Sequence, residues 1–204
     1  MSKALAETQR KTDAGNTALP PPRERILAVA RELFYRHGVH AVGVELIAEA
    51  AQTNKMTLYR HFKSKDELIV TYARSLAAEG DALWEHLAAE FPDDPEKRLG
   101  AWVDHVQQIL TSNAERGCAL ANAAVELQAD HPARAVIEDY KRRKREHLVR
   151  LFRESRYRNP ELLADEVFLL FEGARISIQC GGREPALRVV EMLRDLLART
   201  PRDA

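Results

Sequence analysis

Helix-start signals recur along this chain of 204 residues and restrict it to an all-α fold. Asn54 stands before "KMTLYRHF" as an N-cap, and Ser64-Lys65-Asp66-Glu67 has the Ser and Glu of a capping box. Asp94-Pro95, His131-Pro132, Asn159-Pro160 and Glu184-Pro185 each place a proline at a first helical position, where its missing N–H leaves nothing unpaired. Apolar residues follow these starts at three- and four-residue steps, the period of one buried helix face.

The steps predict a first helix from Arg23 to His37, stopped by Gly38, and a short second helix through Val44, Ile47, Ala48 and Ala51 with Gly43 at its N-cap. A third helix runs from Asn54 with Leu58 and Phe62 as a buried pair. A fourth starts at Ser64, its stripe passing through Leu68, Ile69, Tyr72, Leu76, Leu83, Trp84 and Leu87. Further helices are expected from Pro95 to about Asn113, Arg116 to Leu127, Pro132 to about Arg156, Pro160 to about Cys180, and Pro185 to just before Pro201. No strand pattern or internal repeat emerges, so the expectation is about nine helices. Residues 1–22 are polar and small, end in three prolines, and read as a flexible N-terminal arm.

Lys+Arg 31 against Asp+Glu 31 leaves no global field, so attraction to nucleic acid or membrane must be local. Cys118 and Cys180 are too few for a disulfide framework, no apolar run is long enough to span a bilayer, and the N-terminus lacks a signal-peptide core. A cytoplasmic protein is the expectation. No phosphate-cradling Gly-rich loop, HExxH metal spacing or Gly-x-Ser-x-Gly elbow is present, so no catalytic residue, metal or cofactor is expected.

The local charge sits at "NKMTLYRHFKSK", residues 54–65, where Lys55, Arg60, Lys63 and Lys65 occur without an acid. Two short helices joined by a tight turn, the second bearing basic and hydroxyl side chains, match the helix-turn-helix that lays a recognition helix in the DNA major groove. With Leu58 and Phe62 inward, Lys55, Met56, Thr57, Tyr59, Arg60 and His61 fall on the exposed surface. Thr57 and Tyr59 suit phosphate oxygens, Lys55 and Lys65 neutralise phosphates, and the Arg60 fork suits guanine O6 and N7.

Arg23 to Leu68, above all "KMTLYRHFKSKDEL", resembles the DNA-binding domain of TetR-type transcriptional regulators, with the Leu-Phe and Gly38 of helix one, "IAEAA" of helix two and "TLYRHF" at the family's spacings. The resemblance implies double-stranded operator DNA as partner, with Gly43, Asn54, Lys55, Met56, Thr57, Tyr59, Arg60, His61 and Lys65 as contacts. It divides the chain into the arm at 1–22, a DNA-binding domain at 23–68 and a ligand-binding and dimerisation domain at 69–204. Two departures stand out: Gly43 replaces the usual Ser or Thr cap, and Gln52-Thr53-Asn54 replaces the usual Gly-Val-Ser turn.

By the same resemblance the last two long helices, 160–180 and 184–199, pair with a second copy, setting recognition helices about 34–36 Å apart on DNA. Residues 116–134 resemble a subset with an LmrA/YxaF-like C-terminal domain, which implies a small apolar or aromatic effector. Trp102, His105, Val106, Ile109, Cys118, Asn122, Phe152, Phe168, Phe171 and Arg175 are the candidate lining. Cys118 is a redox sensor if its thiol is acidified, and a small buried hydrophobe otherwise. Lys141 to Arg145 reads as a solvated face paired with Glu138, Asp139 and Glu146. The expected function is a ligand-responsive repressor released from a near-palindromic operator by its effector. The alternatives are a helical enzyme or small-molecule carrier and a ligand-independent DNA-binding regulator.

Overall fold

The computed structural model describes residues 19–112 and 115–203, which leaves most of the expected N-terminal arm outside the described residues. The chain is all-α: α1 (Pro22–His37), α2 (Val44–Ala50), α3 (Lys55–His61), α4 (Lys65–Glu90), α5 (Pro95–Thr111), α6 (Ala119–Glu126), α7 (Pro132–Glu154), α8 (Pro160–Gln179), α9 (Arg183–Leu187) and α10 (Val189–Arg199). Arg188 alone separates α9 from α10, so the one expected final helix is broken rather than replaced. Among the described residues the one β-type pairing is a bridge between Tyr157 and Arg202, and no helix is long and apolar enough to cross a membrane.

Asn54, Ser64 and Asp94 cap their helices as the sequence predicts, whereas the expected start at Glu184-Pro185 moves ahead to Arg183, with Gly182 at the N-cap and Pro185 inside the helix. Asn54 Oδ1 accepts from the Thr57 N–H at 2.8 Å, Ser64 Oγ from Glu67 at 3.0 Å and Asp94 Oδ1 from Lys97 at 3.0 Å. Glu67 reaches back to the Lys63 N–H at 2.8 Å, one residue before the position a standard capping box would satisfy. Helix α6 starts three residues later than Arg116, with Cys118 as its N-cap. The cause is Gly117, which has φ +64 and lies so close to the Arg175 carbonyl that a Cβ would come within 2.5 Å of it.

Two apolar cores form. One is built from α4, α5, α7, α8, α9 and α10 around Trp102, Phe152, Phe171 and Leu193. The other joins Ile26, Phe34, Ile47, Leu58, Phe62 and Tyr72 to Cys118, Leu120, Ala123, Leu127, Ala133 and Ile137, so the helix-turn-helix closes over α6 and the start of α7. Side chains across this seam also bond: the His40 N–H donates to Glu126 Oε2 at 2.9 Å, and the Arg116 N–H to Tyr35 Oη at 3.0 Å.

Candidate functional site

Helix α3 owes its presentation to two residues. Leu58 within it and Phe62 at its C-cap are fully buried, and the Arg23 guanidinium lies 5.2 Å from the centre of the Phe62 ring. With these as anchors, Met56 is 83 % exposed and Tyr59 40 %, and Arg60 also faces solvent. Thr57 is half-covered, its N–H already given to Asn54.

Two of the expected basic contacts carry partners of their own. The Lys55 ammonium pairs with Glu45 of α2 at 2.5 Å and lies 5.9 Å from the Tyr59 ring. That hydrogen bond and charge lower the Glu45 carboxyl and raise the Lys55 ammonium from their ordinary values. Lys65 Nζ donates to the His40 carbonyl at 3.3 Å, and its partial burial lowers its pKa against the opposing pull of Asp66 and Glu126. His61 keeps Nε2 buried without a partner. Gly43 caps α2 in an extended conformation with no side-chain bond and is exposed. Lys63, outside the expected contact set, is exposed in the same basic segment.

The unusual turn before α3 is held by a residue that the charge pattern did not single out. Gln52 adopts φ +51, the left-handed geometry the usual glycine supplies without strain. Arg25 of α1 braces it, donating from Nε to the Ala51 carbonyl at 3.1 Å and from a terminal nitrogen to the Gln52 carbonyl at 3.2 Å. Gln52→Gly should therefore relieve strain of about 1–2 kcal/mol and lose about 0.5–1 kcal/mol to chain entropy. The expected net is a rise in melting temperature of about 1–3 °C, measured by calorimetry; a fall would show that the turn is unstrained.

In the C-terminal bundle the candidate lining divides. Trp102, Val106 and Phe152 are fully packed core, with Ile109 against them. Trp84 stacks between Trp102 and His147, at 6.2 and 4.9 Å. Asn122 spends its amide on the Arg116 carbonyl at 2.7 Å.

His105, Cys118, Phe168, Phe171 and Arg175 instead gather around charges that the solvated-face expectation placed outside. Arg142, Arg143 and Arg145 do pair at the surface with Asp139, Glu146, Asp81 and Asp165. Lys141 and Lys144 turn inward to Glu172 of α8, at 2.5 and 3.1 Å. Burial lowers Lys144 to about 8 despite Glu172. Burial also penalises the Glu172 carboxylate, but Lys144 and Lys141 outweigh it and hold that carboxyl at about 2. At Cys118 burial raises the thiol, while Arg175, Lys141 and the Ala121 N–H bring it below its ordinary value.

Outward, α8 and the α9–α10 pair leave an open apolar groove lined by Leu169, Gly173, Ser177, Pro185, Val189 and Leu196. Leu162, Leu169 and Ile176, seven residues apart on α8, stand exposed beside it.

Comparison with known proteins gives the same picture in two parts. Residues 26–71 match the family described as bacterial regulatory proteins, tetR family. The HTH-type transcriptional regulator UidR of Escherichia coli (strain K12) is 40% identical over 57 residues, which are 28% of this chain and 29% of UidR. The alignment thus spans less than a third of that relative. The HTH-type transcriptional regulator AcrR of Shigella flexneri is 31% identical over 94 residues, 46% of this chain and 44% of AcrR. Among solved structures, a TetR-family transcriptional regulator from Streptomyces coelicolor superposes with a TM-score of 0.76 at 26% identity, covering 86% of this chain and 95% of that one. The regulatory protein TetR from Rhodobacter sphaeroides shares the fold with a TM-score of 0.73 at 20% identity.

Proposed function

We propose that this chain, whose residues 26–71 match the family described as bacterial regulatory proteins, tetR family, is a cytoplasmic, effector-responsive repressor that binds a near-palindromic operator as a dimer. The observation that carries the reading is the division of labour on α3: Leu58 and, at its end, Phe62 are fully buried, while Met56, Tyr59 and Arg60 are turned to solvent beside Lys63. A helix held that way presents base-reading and phosphate-neutralising groups together. DNA binding then needs to be strong only at one face, in keeping with a net charge of +0.

The exposed apolar face of α8 and its groove with α9–α10 support pairing with a second copy. Two copies related by a two-fold axis would place their α3 helices one DNA turn apart, about 34–36 Å. Effector binding in the C-terminal bundle would bias the population of DNA-competent dimers only through its different affinity for the two arrangements.

The test is binding of the purified protein to DNA upstream of its own gene against scrambled DNA at moderate salt. Preference for the native sequence is expected; equal binding overturns the reading. Arg60→Ala should lose about 1–3 kcal/mol of discrimination at one base position, whereas Lys63→Ala should weaken all sequences alike and reduce the salt slope by about one unit. Reversed outcomes, read from affinities over a salt series, would interchange those two roles.

A further inference from the structure

Helix α7 buries one stripe through Ile137, Leu148, Leu151 and Phe152, and two lysines fall within it: Lys141 follows Ile137 by one helical turn and Lys144 precedes Leu148 by another. Lys144 is only 7 % exposed. Its ammonium lies 3.1 Å from Glu172 and 4.1 Å from the centre of the Phe171 ring, with the Phe168 ring at 5.7 Å. Lys141 takes the other Glu172 oxygen at 2.5 Å and comes within 3.6 Å of Cys118 Sγ. Arg175, nearly a turn beyond Glu172 on α8, lies 5.6 Å from the same Phe171 ring. It donates one N–H to the Gly117 carbonyl at 2.9 Å and keeps Nε buried with no partner.

Among the described residues the charges here do not balance. Three cations, Lys141, Lys144 and Arg175, surround one carboxylate, Glu172. Ionising Cys118 would add one negative charge and still leave one positive charge uncompensated. His105, from α5, is kept from adding to the excess, since burial and then the Lys144 charge lower its pKa. Asp81 of α4, Asp139 of α7 and Asp165 of α8, outside the cluster, are engaged by Arg143, Arg142 and Arg145. A buried unpaired charge is strongly disfavoured, and where a fold tolerates one it marks a functional position.

We infer that the missing partner is an organic anion, an aromatic carboxylate whose carboxyl group meets Lys144 and the free Arg175 Nε while its ring lies against Phe168 and Phe171. This rests on the effector-responsive reading above and changes its content: a neutral apolar effector would leave the cation excess in place. Phe168, Lys141 and Glu172 are only partly covered, so this is the side from which a small anion reaches Lys144. Lys144, held near 8 in the free protein, would be drawn back to the charged form by the ligand. Binding above that pH therefore takes up a proton, and affinity falls as pH rises further.

Calorimetric titration of the full chain with benzoate and 2-naphthoate, against benzamide and 2-naphthamide, tests the inference. At least one carboxylate should bind at least about tenfold more tightly than its amide. Its affinity should be flat between about pH 6 and 8 and fall about tenfold per unit above, and Lys144→Met should abolish the preference. If Lys144→Met does not fold, Lys141→Gln and the pH profile of the unaltered protein serve instead. Equal binding of acid and amide, a flat pH profile, or binding by neither overturns it. Operator binding measured on the same samples separates the outcomes: retained sequence preference with no carboxylate response defeats the anion alone, whereas lost preference defeats the regulator reading itself.

Discussion

Ile176→Asp, alone or with Leu169→Asp, is expected to yield a folded monomer whose operator affinity is reduced by about two to four orders of magnitude. Ile176 and Leu169 are 57 % and 67 % exposed on α8, so each aspartate is hydrated in the single chain and should change its stability by no more than about 0.5 kcal/mol. In a pair of chains packed along this face, the same carboxylates would be desolvated against apolar neighbours. A separated monomer engages one half-site and forfeits the effective concentration that tethering gives the second. Light scattering for mass, circular dichroism for fold and gel shift for binding make the measurement. A variant that remains dimeric with unchanged operator affinity would locate the interface elsewhere.

Glu172→Gln should lower stability by about 3–5 kcal/mol near pH 7, because it removes the one carboxylate facing Lys141 and Lys144 while leaving both lysines and Arg175 in place. Its pH dependence has two signs. Glu172 is held at about 2, below its ordinary 4.5, so its contribution is complete above that ordinary value and is lost as pH falls toward 2. Lys144 is depressed to about 8 from 10.5, so the penalty for its charge is full below 8 and is relieved as pH rises from 8 to 10.5. The difference between unaltered protein and variant should thus be largest at neutral pH and shrink in both directions. Urea unfolding from pH 3 to 10 reads it, and a difference independent of pH would mean that Glu172 acts through shape alone.

What the sequence discloses follows the range of the interactions that decide it. Asn54, Ser64 and Asp94 cap helices through bonds three residues long, and such bonds are written locally. Leu58 and Phe62 were recognisable as anchors because only that pair completes the apolar face of a very short helix, even though Phe62 ends it rather than continuing it. The delayed start of α6 was hidden, since it depends on Gly117 meeting the Arg175 carbonyl 58 residues away. Gln52 gave no local sign of its left-handed turn, which Arg25 stabilises from 27 residues upstream.

The inward lysines of α7 illustrate a different failure. Five consecutive charges on a helix must point all round the axis, and the argument that disperses them also requires some to face the core. Ile137, Lys141, Lys144, Leu148 and Leu151 follow the spacing of a buried stripe, so the signal was present as charge in apolar register. Glu172, the partner that makes it tolerable, lies on another helix 28 residues from Lys144 and cannot be paired with it by pattern alone.

The interior that Leu120, Ala123, Leu127, Ala133 and Ile137 share with the helix-turn-helix has a consequence for inheritance. A chimera cut at residue 68, giving the helix-turn-helix to another bundle, would transplant half of a surface whose complement stays behind. Along this seam the chain is one heritable unit: a change in α6 would have to remain compatible with Phe34, Val39 and Tyr72, which share its apolar interior from other elements.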